Sequence, residues 1–134
     1  MKETVLEHIS SDPFAKMLGV QIHEVALGRA KVSMNIKESM LNFHGAANGG
    51  VIFSLADIAF AIASNSYGQT AVGINVSINY MKAGLGGDTI TALAEEVSIN
   101  PKLGLYRMTI TNQEGELLAT ADGMVYRKKE FFAQ

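Results

Sequence analysis

From Ser39 through Met81 the chain carries one side chain of the Asp, Glu, Lys or Arg type, and it is Asp57. Glu38 and Lys82 bound that interval. A solvated surface carries several charges of both signs, and a core normally carries none, because an unpaired ion taken out of water costs several kcal/mol. Within the interval, Val51 to Ser64 is rich in helix formers, shows no alternation and is apolar on nearly all sides. That pattern predicts a buried helix of about 15 residues that must be covered on most of its surface. Asp57, in its middle, is then either satisfied by local donors or kept for a task.

The flanking segments supply the cover. Residues 2–11 read as a weak amphipathic helix with Val5, Leu6 and Ile9 on one side, and Phe14, Met17 and Leu18 form another short apolar face. Val20 to Val25 reads as a strand, followed by a turn centred on Gly28. Ala30 to Ile36 alternates cleanly, with Ala30, Val32, Met34 and Ile36 on one face. After a stop near Gly68, strands are expected at Ala71–Met81, Thr89–Ile99, Leu105–Thr111 and Leu117–Lys128. Their short connections favour antiparallel neighbours. The period of the second breaks at Glu95-Glu96, which predicts a bulge there. Expected, then, is an α+β chain in which one antiparallel sheet wraps a central helix and a second copy covers the remainder.

The bulk properties narrow the function. A length of 134 residues suits one domain spanning 1–134. A net charge of −2 without a basic block argues against nucleic acid as a partner. There is no cysteine, hence no disulfide framework and no thiolate. The polar start MKETVLEHISSDPF has no secretory apolar core, and Asp57 breaks the one run that approaches membrane-spanning length. A cytoplasmic protein without membrane association is the expectation. No second His or acid stands at a metal-ligand spacing, so no metal is proposed.

The order Asn42, Gly45, Gly49-Gly50, then Asp57 within FSLADIAFA, followed by INYMKAG and GDT, resembles the hotdog-fold acyl-CoA thioesterases, nearest the phenylacetic-acid-degradation (PaaI-like) branch. The resemblance covers nearly the whole chain after Phe14. It implies a hotdog fold, with an antiparallel sheet around one long helix. It also implies hydrolysis of medium-chain or aryl-acetyl CoA thioesters, with no cofactor because coenzyme A is part of the substrate. The family's usual His before the glycine pair is Asn48 here. Asn keeps an amide donor but cannot take up a proton near neutral pH.

On that resemblance Gly49 is the oxyanion donor at a helix N-terminus. Asp57 is general base or nucleophile, and Asn42 orients substrate or fixes its loop. Asn48, Gly50 and Lys82 are placed against the substrate, Lys82 toward the CoA phosphates. Each has a plainer reading. A helical Asp capped by hydroxyls and glycines that merely allow close packing are about as common, Asn42 suits a turn, and Lys82 suits solvent. His44 reads as a surface or packing histidine. Asp57 lies two turns past Gly49, about 12 Å away at 1.5 Å per residue, too far for both to serve one carbonyl within one chain. The related enzymes solve this by taking the acid from the partner subunit, which implies a homodimer at least, and a homotetramer in this branch. The alternatives are a hotdog enoyl-CoA hydratase or dehydratase, and a non-catalytic acyl-CoA-binding protein.

Overall fold

The computed structural model describes residues 1–133. Helices α1 (Glu3–Ile9) and α2 (Pro13–Leu18) lead into strands β1 (Gln21–Ala26) and β2 (Arg29–Asn35). Helix α3 (Gly49–Ser64) follows, then β3 (Gln69–Tyr80), β4 (Thr89–Ile99), β5 (Leu103–Thr111) and β6 (Leu117–Phe131). The six strands form one antiparallel sheet in the order β1-β2-β4-β5-β6-β3. This is the hotdog arrangement, with α3 lying across β2, β4 and β5.

The alternating strands explain the layer beneath the helix. Ala30, Val32 and Met34 of β2, Ile90, Ala92 and Ala94 of β4, and Met108 and Ile110 of β5 are all buried on one face. From α3 they receive Ile52, Leu55, Ala56, Ala59 and Ala63, also buried. Phe60 sets the helix in place. Its ring sits where a Cβ on Gly123 would stand 2.7 Å from it and one on Gly73 3.1 Å, so two strand glycines form its socket. Tyr106 meets the same ring edge-on, with centroids 5.9 Å apart.

Several expectations are corrected in detail. The glycine pair does not precede the helix but forms its first turn, capped by Asn48. Within one copy the sheet leaves a stripe of α3 uncovered, the part that the sequence assigns to a second copy. Gly50, Asp57 and Ala61 are exposed, and Phe53 and Ser54 half-buried, along one stripe. The bulge in β4 falls between Glu96 and Ser98, one step past the charge pair. Only Leu18 of the expected α2 face is buried, Phe14 and Met17 being exposed. Strand β3 also differs. Its alternation suggests one buried face, yet of that face only Val76 and Ile78 pack against the core, and Val72 and Ile74, farther from that contact, are exposed.

The two sheet edges are unlike. The β1 edge is six residues long, carries Glu24 and is bulged between Ile22 and Glu24. These features discourage further pairing. The β3 edge runs twelve residues, QTAVGINVSINY, with no charge and no proline.

Candidate active site

The N-terminus of α3 is held from two sides. The Ala47 N–H donates to the Gly84 carbonyl at 2.8 Å, and the Asn48 N–H to that of Met40 at 2.8 Å. The turn before it is built on Asn42, whose Oδ1 accepts the N–H groups of His44 (2.9 Å) and Ala46 (3.2 Å). Gly45 completes that turn at φ +81°, a conformation that favours glycine.

At the helix start the backbone donors are unequal. The Gly50 N–H is taken by Asn48 Oδ1 at 2.8 Å, and the Val51 N–H donates to the Asn48 carbonyl at 2.9 Å. The Gly49 N–H has no partner among the described residues. It is therefore the donor left for a ligand, at the positive end of a sixteen-residue helix. Tyr80, on β3, closes the other side. Its hydroxyl donates to the Gly49 carbonyl at 2.8 Å, and its ring would stand 3.3 Å from a Cβ at position 49. Burial pushes the Tyr80 hydroxyl pKa above its ordinary value, so it stays protonated as the donor.

A cavity of about 310 Å³ opens at this point, lined by Asn42, Gly49, Ile52, Tyr80, Met81 and Lys82 among others. The structure thus brings three of the expected site residues, Asn42, Gly49 and Lys82, to one place. The Asn42 Nδ2 has no hydrogen-bond partner among the described residues, its Oδ1 being committed to the turn. Lys82 is ion-paired with Glu116, which its ammonium holds below the ordinary carboxylate pKa.

The other site residues lie elsewhere. Asn48 caps the helix and borders a groove on the opposite side with Leu18 and Met40, and Gly50 is consumed by that cap. His44 is exposed and tilted against the ring of Phe43. Asp57 does not line the Gly49 cavity. Its side chain reaches solvent on the uncovered stripe and has no hydrogen bond or ion pair among the described residues. Local donors therefore do not satisfy it. The surrounding protein removes enough water to push its pKa up, and the Asp12 carboxylate adds to the shift. Ser64, Asn65 and Ser66 end the helix. The Asn65 side chain bonds Ala61 and Ala71, and the Ser66 hydroxyl bonds Ala63 while accepting the Gly28 N–H.

Sequence reasoning missed Tyr80 and Asp12. Tyr80 reads as one more member of an alternating strand. Its position just ahead of the MKAG turn was the available signal. Among the described residues no group of three His, Cys, Asp or Glu could hold a metal ion, and no helix is long and apolar enough to cross a membrane.

Residues 44–119 match the family model of the thioesterase superfamily. The chain belongs to that superfamily. The acyl-coenzyme A thioesterase PaaI of Escherichia coli is 39% identical over 87% of this chain and 84% of its own length. The solved structure of the E. coli PaaI protein superposes with a TM-score of 0.91, covering 94% of this chain and 91% of that one, at 36% identity. A thioesterase protein of Streptococcus pneumoniae, solved with coenzyme A, has a TM-score of 0.85 at 28% identity, over 92% and 96% of the two chains. This chain is thus a PaaI-like hotdog thioesterase, a thioester hydrolase.

Proposed function

We propose that the protein hydrolyses acyl-CoA thioesters, with medium-chain or aryl-acetyl acyl groups, at a site shared by two copies of the chain. The observation that carries this is the Gly49 N–H, unpaired among the described residues and opening onto a cavity with Asn42 and Lys82, while Asp57, the carboxylate of the same helix, stands unpartnered among those residues on its uncovered stripe. The E. coli relative named for acyl-CoA hydrolysis supports the substrate class.

A two-fold axis reconciles the separation. Gly49 and Asp57 lie four residues either side of Phe53, on the stripe the sheet leaves open. Two copies of α3 packed antiparallel, crossing at Phe53, bring each Asp57 level with the other copy's Gly49. The unprotected β3 edge offers the second contact, strand to strand across the same axis. Further pairing of such dimers gives the homotetramer.

In this arrangement the Gly49 N–H and the helix dipole stabilise the thioester oxygen as it gains negative charge, one such donor being worth about 3 kcal/mol. As general base, Asp57 takes a proton from water while the water oxygen bonds to the carbonyl carbon. The C–S bond then breaks, and the CoA sulfur leaves with that proton. As nucleophile, an Asp57 carboxylate oxygen bonds to the carbon, the C–S bond breaks and CoA leaves as its thiolate; water then opens the mixed anhydride to the free acid and the Asp57 carboxylate, and the proton released goes to the thiolate. Neither route calls for a cofactor, and water is the only co-substrate. Hydration of an enoyl group would need a histidine beside the acid; none lines the Gly49 cavity, and His8, in the wall of the cleft beyond Asp57, is stacked on Phe132.

The test is complementation. Asp57→Asn and Asn42→Ala, each inactive alone, are unfolded and refolded together. Every mixed dimer then holds one site with both lesions and one with neither. With random pairing about a quarter of all sites are intact under two-fold symmetry, and activity rises toward that fraction of wild type. Confirmed mixed dimers with no recovered turnover would exclude a shared site.

A further inference from the structure

Beside Asp57 a second cavity, of about 370 Å³, lies between the α1–α2 segment and the C-terminal half of α3. Its walls include His8, Ile9, Pro13, Ala61, Ile62 and Phe132. We propose that this cleft receives the acyl group of the substrate, so that Ala61 and the α1–α2 segment set acyl preference. The inference rests on the thioesterase reading above and adds to it where the acid portion goes.

Position comes first. Ala61 is one helical turn past Asp57 on the same uncovered stripe, about 6 Å along the axis, and Asn65, also in the cleft wall, is about 12 Å along. A carbonyl held beside Asp57 therefore has its acyl tail directed into the cleft of the copy that supplies Asp57. Asp12 lies in the cleft wall and acts on the Asp57 carboxylate, so the two share one electrostatic environment.

Charge then decides which end of the substrate enters. Among the described residues the cleft is walled by no Lys or Arg, and its one acidic wall residue is Asp12. The phosphates of coenzyme A are repelled from such a wall, whereas an uncharged tail is not. The polar groups present are mostly occupied. The Ser11 hydroxyl bonds the His8 carbonyl, the Asn65 amide bonds Ala61 and Ala71, and Asp12 Oδ1 caps α2 through Phe14 and Ala15. What remains is apolar surface and a flat aromatic wall, in which His8 and Phe132 stack with centroids 4.6 Å apart. That surface suits a phenyl ring at the nearer turn and a chain of medium length reaching the farther one.

Ala61→Phe fills the nearer turn; Ala61 is exposed in the single chain and lies about 12 Å along α3 from the Phe53 crossing, and size-exclusion chromatography first establishes that the variant keeps the wild-type assembly. The ratio of kcat/KM for octanoyl-CoA to that for acetyl-CoA is expected to fall at least tenfold, and likewise for phenylacetyl-CoA. Ala61→Ser, of similar size, should keep the wild-type ratio. A parallel titration uses octyl-CoA thioether, which cannot be hydrolysed. Wild type should bind it more tightly than coenzyme A, and Ala61→Phe should lose that advantage. An unchanged ratio in a folded Ala61→Phe protein, or a wild type that binds the thioether no better than coenzyme A, overturns the cleft assignment. A wild type that hydrolyses no acyl-CoA overturns the thioesterase reading instead, and the thioether titration still decides the cleft.

Discussion

Replacing Asp57 by Asn removes one charge from a side chain that holds nothing in place. Asp57 has no hydrogen-bond or ion-pair partner among the described residues and reaches solvent. Asn has nearly the same size, and the like-charge interaction with Asp12 disappears. Stability should therefore stay within about 0.5 kcal/mol of wild type at neutral pH. Turnover should fall by roughly 10²–10⁴, the usual worth of a positioned general base, which corresponds to about 2.7–5.4 kcal/mol of barrier. Thermal unfolding measures the first quantity, and thiol release from an acyl-CoA panel the second. The pH dependence separates the two further. Burial first, and Asp12 second, hold the Asp57 pKa above the unfolded value near 3.8. The folded protein thus binds this proton more tightly than the unfolded chain. Its stabilising effect is present below the unfolded pKa and is lost as pH rises through the raised one. On that same rise kcat/KM should climb, because the base is deprotonating. Asp12→Asn, which still caps α2, should move the acid limb to lower pH. A variant Asp57→Asn with wild-type kcat on every substrate would refute the assignment. So would a variant that loses activity only in step with more than about 2 kcal/mol of stability, since that is the behaviour of a packing group.

Tyr80→Phe removes the hydroxyl bonded to the Gly49 carbonyl, costing about 0.5–1.5 kcal/mol in thermal unfolding. It should lower kcat more than it raises KM, because it loosens the peptide that aims the Gly49 N–H. Asn48→His replaces the side chain that accepts the Gly50 N–H, and should destabilise by about 0.5–2 kcal/mol while changing acyl preference on the same panel. Lys82→Ala releases Glu116 from an exposed pair and should leave the thermal midpoint nearly unchanged. If Lys82 meets phosphate, KM rises for CoA esters and not for pantetheine esters. Gly123→Ala drives a methyl into the Phe60 ring and should cost about 1–3 kcal/mol by calorimetry.

The sheet and helix were legible wherever burial imposes a period. The alternation of Ala30, Val32, Met34 and Ile36 reports a strand with one covered face, and all four are buried. The limits of Thr89–Ile99 agree with β4. Alternation says which side chains share a face, but not whether anything lies against that face, and so the exposure of Val72 and Ile74 on the edge strand was not visible. Glycines disfavour helix interiors, which placed the start of α3 two residues late, although its first turn tolerates them. The site divides in the same way. Asp57, Gly49 and Asn42 stand out by local context. Long-range pairings leave no local signal, which hid the Tyr80 hydroxyl on Gly49, the Lys82–Glu116 pair and the approach of Asp12 to Asp57.

The glycine socket around Phe60 has a mechanical consequence. Sliding α3 by one residue would be a step of 1.5 Å, and the ring already stands where a single added carbon does not fit on Gly123. The helix can neither creep along the sheet nor roll upon it without leaving that seat. Any induced fit to substrates of different length must therefore come from the pieces hung around the helix. These are the Asn42–Ala46 turn at one end and the α1–α2 segment at the other. Hydrogen exchange should divide accordingly, slow in the middle of α3 and fast in those two flanks, with ligand protecting the flanks alone.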